Sequence, residues 1–198
     1  MASTRDNKTI SAFKSKLAGG GARPNLFEVV LTDLPANVAA NWDADVFQFM
    51  CKAASLPAQN IANIDIPFRG RIFKVAGDRT IDTWTITVIN DENFQFRNAF
   101  EEWTQQIANL DDNMGTTNPN SYMVNATVYQ LGRGSEKESK NNGGAANVVL
   151  KEYEFQNIFP TNVSAIDLSY DTGDTIEEFT VEFAVQSLNL AGEGSPDG

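Results

Sequence analysis

Histidine is absent from this 198-residue chain. That removes the Ser-His-Asp triad, the Cys-His pair and any imidazole metal site. Cysteine is represented by Cys51 alone, so neither an internal disulfide nor a cysteine zinc cluster can form. Its neighbours Phe47, Phe49, Met50 and Ala53 mark that thiol as a small buried hydrophobe with no redox role. Long hydrophobic runs are missing too: no stretch approaches the ~20 apolar residues a membrane span requires. The opening MASTRDNKTISAFKSKLAGGGARP lacks the apolar segment of a secretory signal, so folding in a cytoplasm is expected. Positive charge is scarce, with 15 Lys and Arg against 26 Asp and Glu, a net charge of −11 and a pI near 4.4. From Glu152 onward there are ten acidic residues and no Lys or Arg. So acidic a chain repels phosphate, which argues against a sequence-reading nucleic-acid binder and against docking on an anionic membrane. It leaves room for a surface past which DNA slides without sticking.

What is present describes a globular domain. The composition is 41% hydrophobic and 10% aromatic, with 13 Phe, and a chain of this length removes roughly 70% of its extended surface from water on folding. Residues 1–21 are polar and end in three glycines, which suits a flexible arm. Leu26 to Thr32 alternates as a strand and runs into a Pro, Ala and Asn-rich loop through Asp45. Val46 to Ala54 reads as a second strand, stopped by Pro57. Ile61 to Val75 carries the short alternating runs NIDIPFRG and RIFKV, interrupted by Pro67 and Gly70, and reads as an extended hairpin. The stretch VAGDRTIDTWTITVIND begins with a charged glycine turn, holding Asp78 and Arg79, and continues as one regular strand with Trp84, Ile86 and Val88 on one side.

The period then changes. Phe96, Phe100, Trp103, Ile107 and Leu110 recur at steps of four and three, the stripe of an amphipathic helix, with Asp91 and Glu92 placed where the helix dipole favours negative charge. Further strands are expected at Ser121 to Leu131, Asn147 to Gln156, Ala165 to Tyr170 and Ile176 to Leu188. RGSEKESKNNGGAAN, between the first two of these, has no apolar anchor and reads as a mobile hairpin tip around residues 134–146. The fold class is mainly antiparallel β, about seven or eight strands, with one amphipathic helix packed on it.

Enzymatic chemistry finds little support. Glu177 and Glu178, Asp111 and Asp112, and Asp171 with Asp174 supply carboxylates, but no spacing selects an acid and base pair for glycoside hydrolysis. DTGDTIEE lacks the ligand spacing of an EF-hand loop, and LGRGS and LAGGGAR read as turns rather than phosphate loops. Three sequons, at Asn7, Asn125 and Asn162, are accidents of composition. No catalytic residue, cofactor or metal is assigned. The charge pattern says more. Arg69, Arg71, Lys74 and Arg79 cluster against Asp78 alone, while the C-terminal part is wholly acidic. A basic hairpin on an acidic body can meet a second copy head to tail, and such heterologous contacts build rings or open filaments.

ARPNLFEV at 22–29, CKAASLPAQNI at 51–61, VAGDRTIDTWTITVINDE at 75–92, FRNAFEEW at 96–103, and FPTNVSAIDLSYD followed by IEEFTVEFAV together resemble the tail tube protein of contractile-tailed bacteriophages, in order, over about residues 22–188. The longer arm, the residues around Asn37 to Asp45, the tip at Gly134 to Ala146 and the ending LAGEGSPDG depart from that pattern. The resemblance implies a β-barrel or sandwich with a flanking helix and a long hairpin. It divides the chain into an arm at 1–21, a tail tube domain at 22–190 and a C-terminal tail at 191–198.

It also implies hexameric rings stacked into the hollow inner tube of a contractile tail, a conduit for DNA whose acidic lumen would not retain phosphate. The partners it implies are other copies of the chain, the sheath protein, a tape measure protein in the lumen, the baseplate tube initiator and the tail terminator, with no membrane binding. The implied location is the virion, after synthesis in the host bacterial cytoplasm. Combining hairpin, charge and resemblance, the assembly residues are expected to be Ile64, Ile66, Phe68, Arg69, Arg71, Lys74, Asp78 and Arg79. The rivals are the tube of a contractile bacteriocin or secretion apparatus, a baseplate tube initiator, a carbohydrate-binding β-sandwich and a glycoside hydrolase.

Overall fold

The computed structural model of the chain describes residues 9–17, 21–112, 114–133, 147–171 and 173–191. Among the described residues four α-helices occur in this order among the strands: α1 (Ile10–Lys16), α2 (Ala36–Ala39), α3 (Ala44–Met50) and α4 (Gln95–Ile107). The strands are β1 (Phe27–Thr32), β2 (Cys51–Ala54), β3 (Gln59–Phe68), β4 (Arg71–Ile81), β5 (Trp84–Ile89), β6 (Val124–Arg133), β7 (Asn147–Val163), β8 (Glu178–Ala184) and β9 (Ser187–Ala191). All of their pairings are antiparallel. The order through the body is β1-β6-β7-β8-β5-β2, with β9 also on β7, while β3 and β4 form a separate two-stranded ribbon.

Strand β7 belongs to two layers. Its first part pairs with β6 and, through Glu152 to Gln156, with β9, whereas Phe159 to Val163 pairs with β8. The corner lies at Asn157, whose backbone is left-handed (φ 54) and whose N–H donates to Asn125 Oδ1 at 3.2 Å. Asparagine tolerates this conformation better than most side chains. Val29, Val128 and Phe155 from one layer meet Trp84, Ile86, Val181 and Phe183 from the other in one buried core. The indole of Trp84 stacks on Phe155 at 4.7 Å and lies 5.1 Å from Phe183.

Helix α4 fills the rest of that interior. Phe96, Phe100 and Trp103 are fully buried, as their spacing predicts, and Phe100 lies 6.1 Å from both Phe179 and Phe183. Asp91 Oδ1 accepts from the Gln95 N–H at 3.0 Å, so the expected carboxylate serves the helix start. Arg97 pins the outer side by donating to the Ser164 carbonyl at 2.6 Å. Leu110, the last residue of the expected stripe, lies beyond the helix and is exposed, because α4 ends at Ile107.

Several expected elements take a different form. Val46 to Met50 is helical rather than extended: Asp43 caps α3 through bonds from the Asp45 and Val46 N–H groups. The helix carries Phe47 to Trp42 and Phe96, at ring distances of 4.5 and 5.4 Å. Residues 75–91 are two strands, with the break at Asp82 and Thr83, and the Gly77 to Arg79 segment is a bulge inside β4 rather than a turn. Ala165 to Tyr170 forms no strand, because β-pairing of this segment stops at Ser164, whose N–H reaches Thr180. Ile176 to Leu188 divides into β8 and β9, so that the chain crosses from one layer to the other at Val185 and Gln186. Within the arm, Ile10–Lys16 is a helix capped by Thr9. The expected mobile tip at 134–146 lies outside the described residues.

Replacing Trp103 with Ala removes a fully buried ring and its 2.8 Å hydrogen bond to the Tyr122 carbonyl. The expected loss is ~3–5 kcal/mol of stability, read from chemical denaturation. An unchanged midpoint would show that α4 does not hold the layers together.

Candidate assembly surface

The β3–β4 ribbon carries the exposed apolar surface on which the assembly reading turns. Arg69 (φ 48) and Gly70 (φ 81) are both left-handed, the requirement of a two-residue hairpin turn, so the ribbon is closed tightly at its tip. Across the ladder, Ile64 faces Val75, Ile66 faces Phe73 and Phe68 faces Arg71. Strand alternation puts these pairs on one face, with Asp65 opposite Lys74 and Pro67 opposite Ile72 on the other. Phe68 and Phe73 remain 66% and 65% exposed. A two-stranded ribbon is at best marginally stable in water by itself, and this one displays apolar side chains along most of one face.

The root of the ribbon is fixed by short-range bonds. The Asp82 N–H reaches the Ala58 carbonyl at 3.0 Å, and Asn60 donates to Asp82 Oδ1 at 2.9 Å. At the bulge, a Cβ on Gly77 would lie 3.1 Å from the Ala62 carbonyl oxygen and 3.2 Å from Ile64, which favours glycine there.

Of the eight residues expected at the interface, Ile64, Ile66 and Phe68 do share a face. Arg71 joins them at the tip, and Arg69 lies in the turn with its guanidinium 5.5 Å from the Phe68 ring centre. Lys74 does not join them: it is on the opposite face, bonded to Asp65 at 3.2 Å within the same ribbon. Arg79 opposes Ile61 near the root, and Asp78 sits in the bulge. Phe73 and Val75, which complete the apolar face, were missed. The alternation in RIFKV marks them as soon as the turn is placed at Arg69 and Gly70.

The carboxylates weighed for catalysis do not converge. Glu178 pairs with Lys52, Glu177 accepts from Asn90 Nδ2 at 3.3 Å, and no group of three or more metal-ligating side chains occurs among the described residues. Cys51 is buried, and that burial pushes its thiol up to about 12.

A filled β-sandwich that projects an uncovered amphipathic ribbon has the form of an assembly subunit. Comparison with known proteins is specific on this point. The phage tail tube protein family matches residues 22–190, and this chain belongs to it. It is 36% identical over 174 residues to the tail tube protein gp19 of Enterobacteria phage T4, covering 88% of this chain and 93% of that protein. The tail tube protein of Serratia phage KSP90 is 24% identical over 176 residues, with 88% and 92% covered. Among solved structures, the fold is shared with the tube-terminating cap of the anti-feeding prophage (TM-score 0.56, 17% identity, covering 86% of this chain and 90% of that one). It is also shared with a chain of the sheath–tube complex of an extracellular contractile injection system (TM-score 0.53, 14% identity, 89% and 95% covered). The protein is a structural component of a phage tail tube.

The thiol generates a pH prediction. Because the folded Cys51 stays protonated up to about 12 while the unfolded thiol ionises from 9.0, the unfolded state binds fewer protons in that window and stability falls as pH rises. Relative to Cys51→Ala, the protein should lose up to ~1.4 kcal/mol per pH unit above pH 9. Parallel pH-dependent unfolding curves for the two proteins would contradict this.

Proposed function

We propose that the chain forms hexameric rings that stack into the hollow inner tube of a contractile phage tail, through which DNA passes. The observation that carries this is the 36% identity to a T4 tail tube protein along almost its full length. The geometry of the ribbon supports it, because an uncovered apolar face calls for a neighbouring subunit to cover it. In this reading residues 22–190 form the wall, 1–21 an arm and 191–198 a tail. Ile64, Ile66, Phe68, Phe73 and Val75 supply the buried part of the contact between rings, with Arg69 and Arg71 meeting an acidic surface of the next subunit. Lys74 acts within the ribbon.

The partners of the assembled tube are the sheath around it, a tape measure protein within it, an initiator at the baseplate and a terminator at the far end. The net charge of −11 suits passage of DNA without retention. The chain acts as structure and not as an enzyme. Two phage tail tube proteins are 36% identical to this chain, which favours the phage assignment.

Two variants test the stacking contact. Ile66→Asp with Phe73→Asp places charge on the apolar face, and Arg69→Glu with Arg71→Glu reverses the tip. Each should raise the concentration needed for tube formation by at least ~10-fold, scored by sedimentation and electron microscopy, while circular dichroism of the subunit is unchanged. Normal tubes from the first variant would remove the ribbon from the contact. Normal tubes from the second would remove only its charges.

A further inference from the structure

Helix α1 lies outside the family-matched residues 22–190. Ile10, Phe13 and Leu17 stand at i, i+3 and i+7, one stripe of the helix and its end, and they are 79%, 64% and 44% exposed. The charge of this segment inverts that of the chain. Residues 1–24 hold Arg5, Lys8, Lys14, Lys16 and Arg23 against Asp6 alone, in a protein of net charge −11.

A complementary surface exists on the body. An open groove of about 1470 Å³ runs along the outer side of α4, with Trp42, Ile107 and Pro160 as apolar lining and Asp43, Glu101 and Glu102 as acidic lining. Arg97 is the one cation among its described lining residues, and it is engaged by Glu101 at 2.5 Å and by the Ser164 carbonyl. The groove therefore offers apolar side chains among polar ones with excess negative charge, and α1 an apolar stripe with excess positive charge.

We propose that α1 of one subunit docks in the α4 groove of a neighbouring subunit, as a strap between copies. The arm is rooted at the start of β1, where Gln130 Nε2 donates to the Arg23 carbonyl at 2.8 Å and pairs in register with Phe27. The groove begins at Ala40 to Asp43, past the far end of β1 and past α2. From Leu17 to Arg23 the chain spans at most about 20 Å, roughly the length of the six-residue β1 itself. To reach its own groove the arm must double back along all of β1 and continue past α2. One short helix binds weakly alone, but tethering to an assembled wall raises its effective concentration into the millimolar range. The proposal rests on the tube reading only for the neighbour.

The test uses the full chain assembled into tubes without sheath protein. Copies carrying Lys14→Cys are co-assembled with copies carrying Glu102→Cys and oxidised gently, and Cys51, being buried, stays out of the exchange. The expected result is a cross-linked dimer on a denaturing gel, in tubes and not in dilute subunits. Well-formed tubes without cross-links overturn the strap and leave the tube reading intact, whereas failure of the unaltered chain to form tubes overturns both. An intrachain cross-link alone, in the doubly substituted chain, overturns docking between copies. As a second measurement, trypsin cleavage at Lys14 and Lys16 should slow at least ~10-fold on assembly. Glu101→Lys with Glu102→Lys should restore it. Protection that survives this reversal in normal tubes overturns the proposed groove, as does a groove shielded from Glu102→Cys labelling only when sheath protein is added.

Discussion

Asn157 holds a left-handed backbone in the middle of the longest strand, and the architecture follows from that corner. Up to Ile158, β7 pairs with β6, and through Gln156 with β9; from Phe159 on it pairs with β8. One strand thus runs through both layers, an inner strand between β6 and β9 in the first and the partner of β8 in the second, and Phe155 on one side meets Trp84 and Phe183 on the other. The corner is held by a side chain from the neighbouring strand, Asn125, through the Asn157 N–H. Helix α4 then has one place to go, the gap that the two diverging layers leave, and its aromatic stripe fills it.

The ribbon follows the opposite logic. It is excluded from the body by its own register: β4 ends at Ile81, two residues intervene, and β5 begins in pairing with β2 and β8. Among the described residues the ladder of β3 and β4 gains no further strand, and Ile64, Ile66, Phe68 and Phe73 on its apolar face stay exposed. In a monomer such a surface is a liability. In the proposed tube, neighbouring copies would cover it.

Charge is distributed by the same division of labour. The chain is acidic overall, while Arg69, Arg71, Lys74 and Arg79 gather on the ribbon and Arg5, Lys8, Lys14, Lys16 and Arg23 in the first 24 residues. Exposed pairs of this kind add little stability within a subunit. Between copies they select which surfaces meet and reject the wrong ones.

Local pattern alone determined much of this protein. Strict alternation marked Trp84, Ile86 and Val88 as buried, and the steps of four and three marked Phe96, Phe100 and Trp103, because each period belongs to one kind of backbone geometry. The matched segments from 22 to 188 located the family. Ile64, Ile66 and Phe68 were legible as one exposed face because alternation sorts residues within a strand. The register at the root was not legible, since whether Gly77 to Arg79 turned or bulged depended on where β3 ended; the turn at Arg69 and Gly70, by contrast, puts Lys74 on the other face with Asp65. Nor was the helical state of Val46 to Met50, whose alternating apolar residues suit a strand until Trp42 and Phe96 are there to be packed against. The two halves of Ile176 to Leu188 read as one run because both are strands, and only the corner in β7 decides that they enter different layers. Each of these outcomes depends on a partner far away in sequence, and local spacing carries no information about which partner arrives.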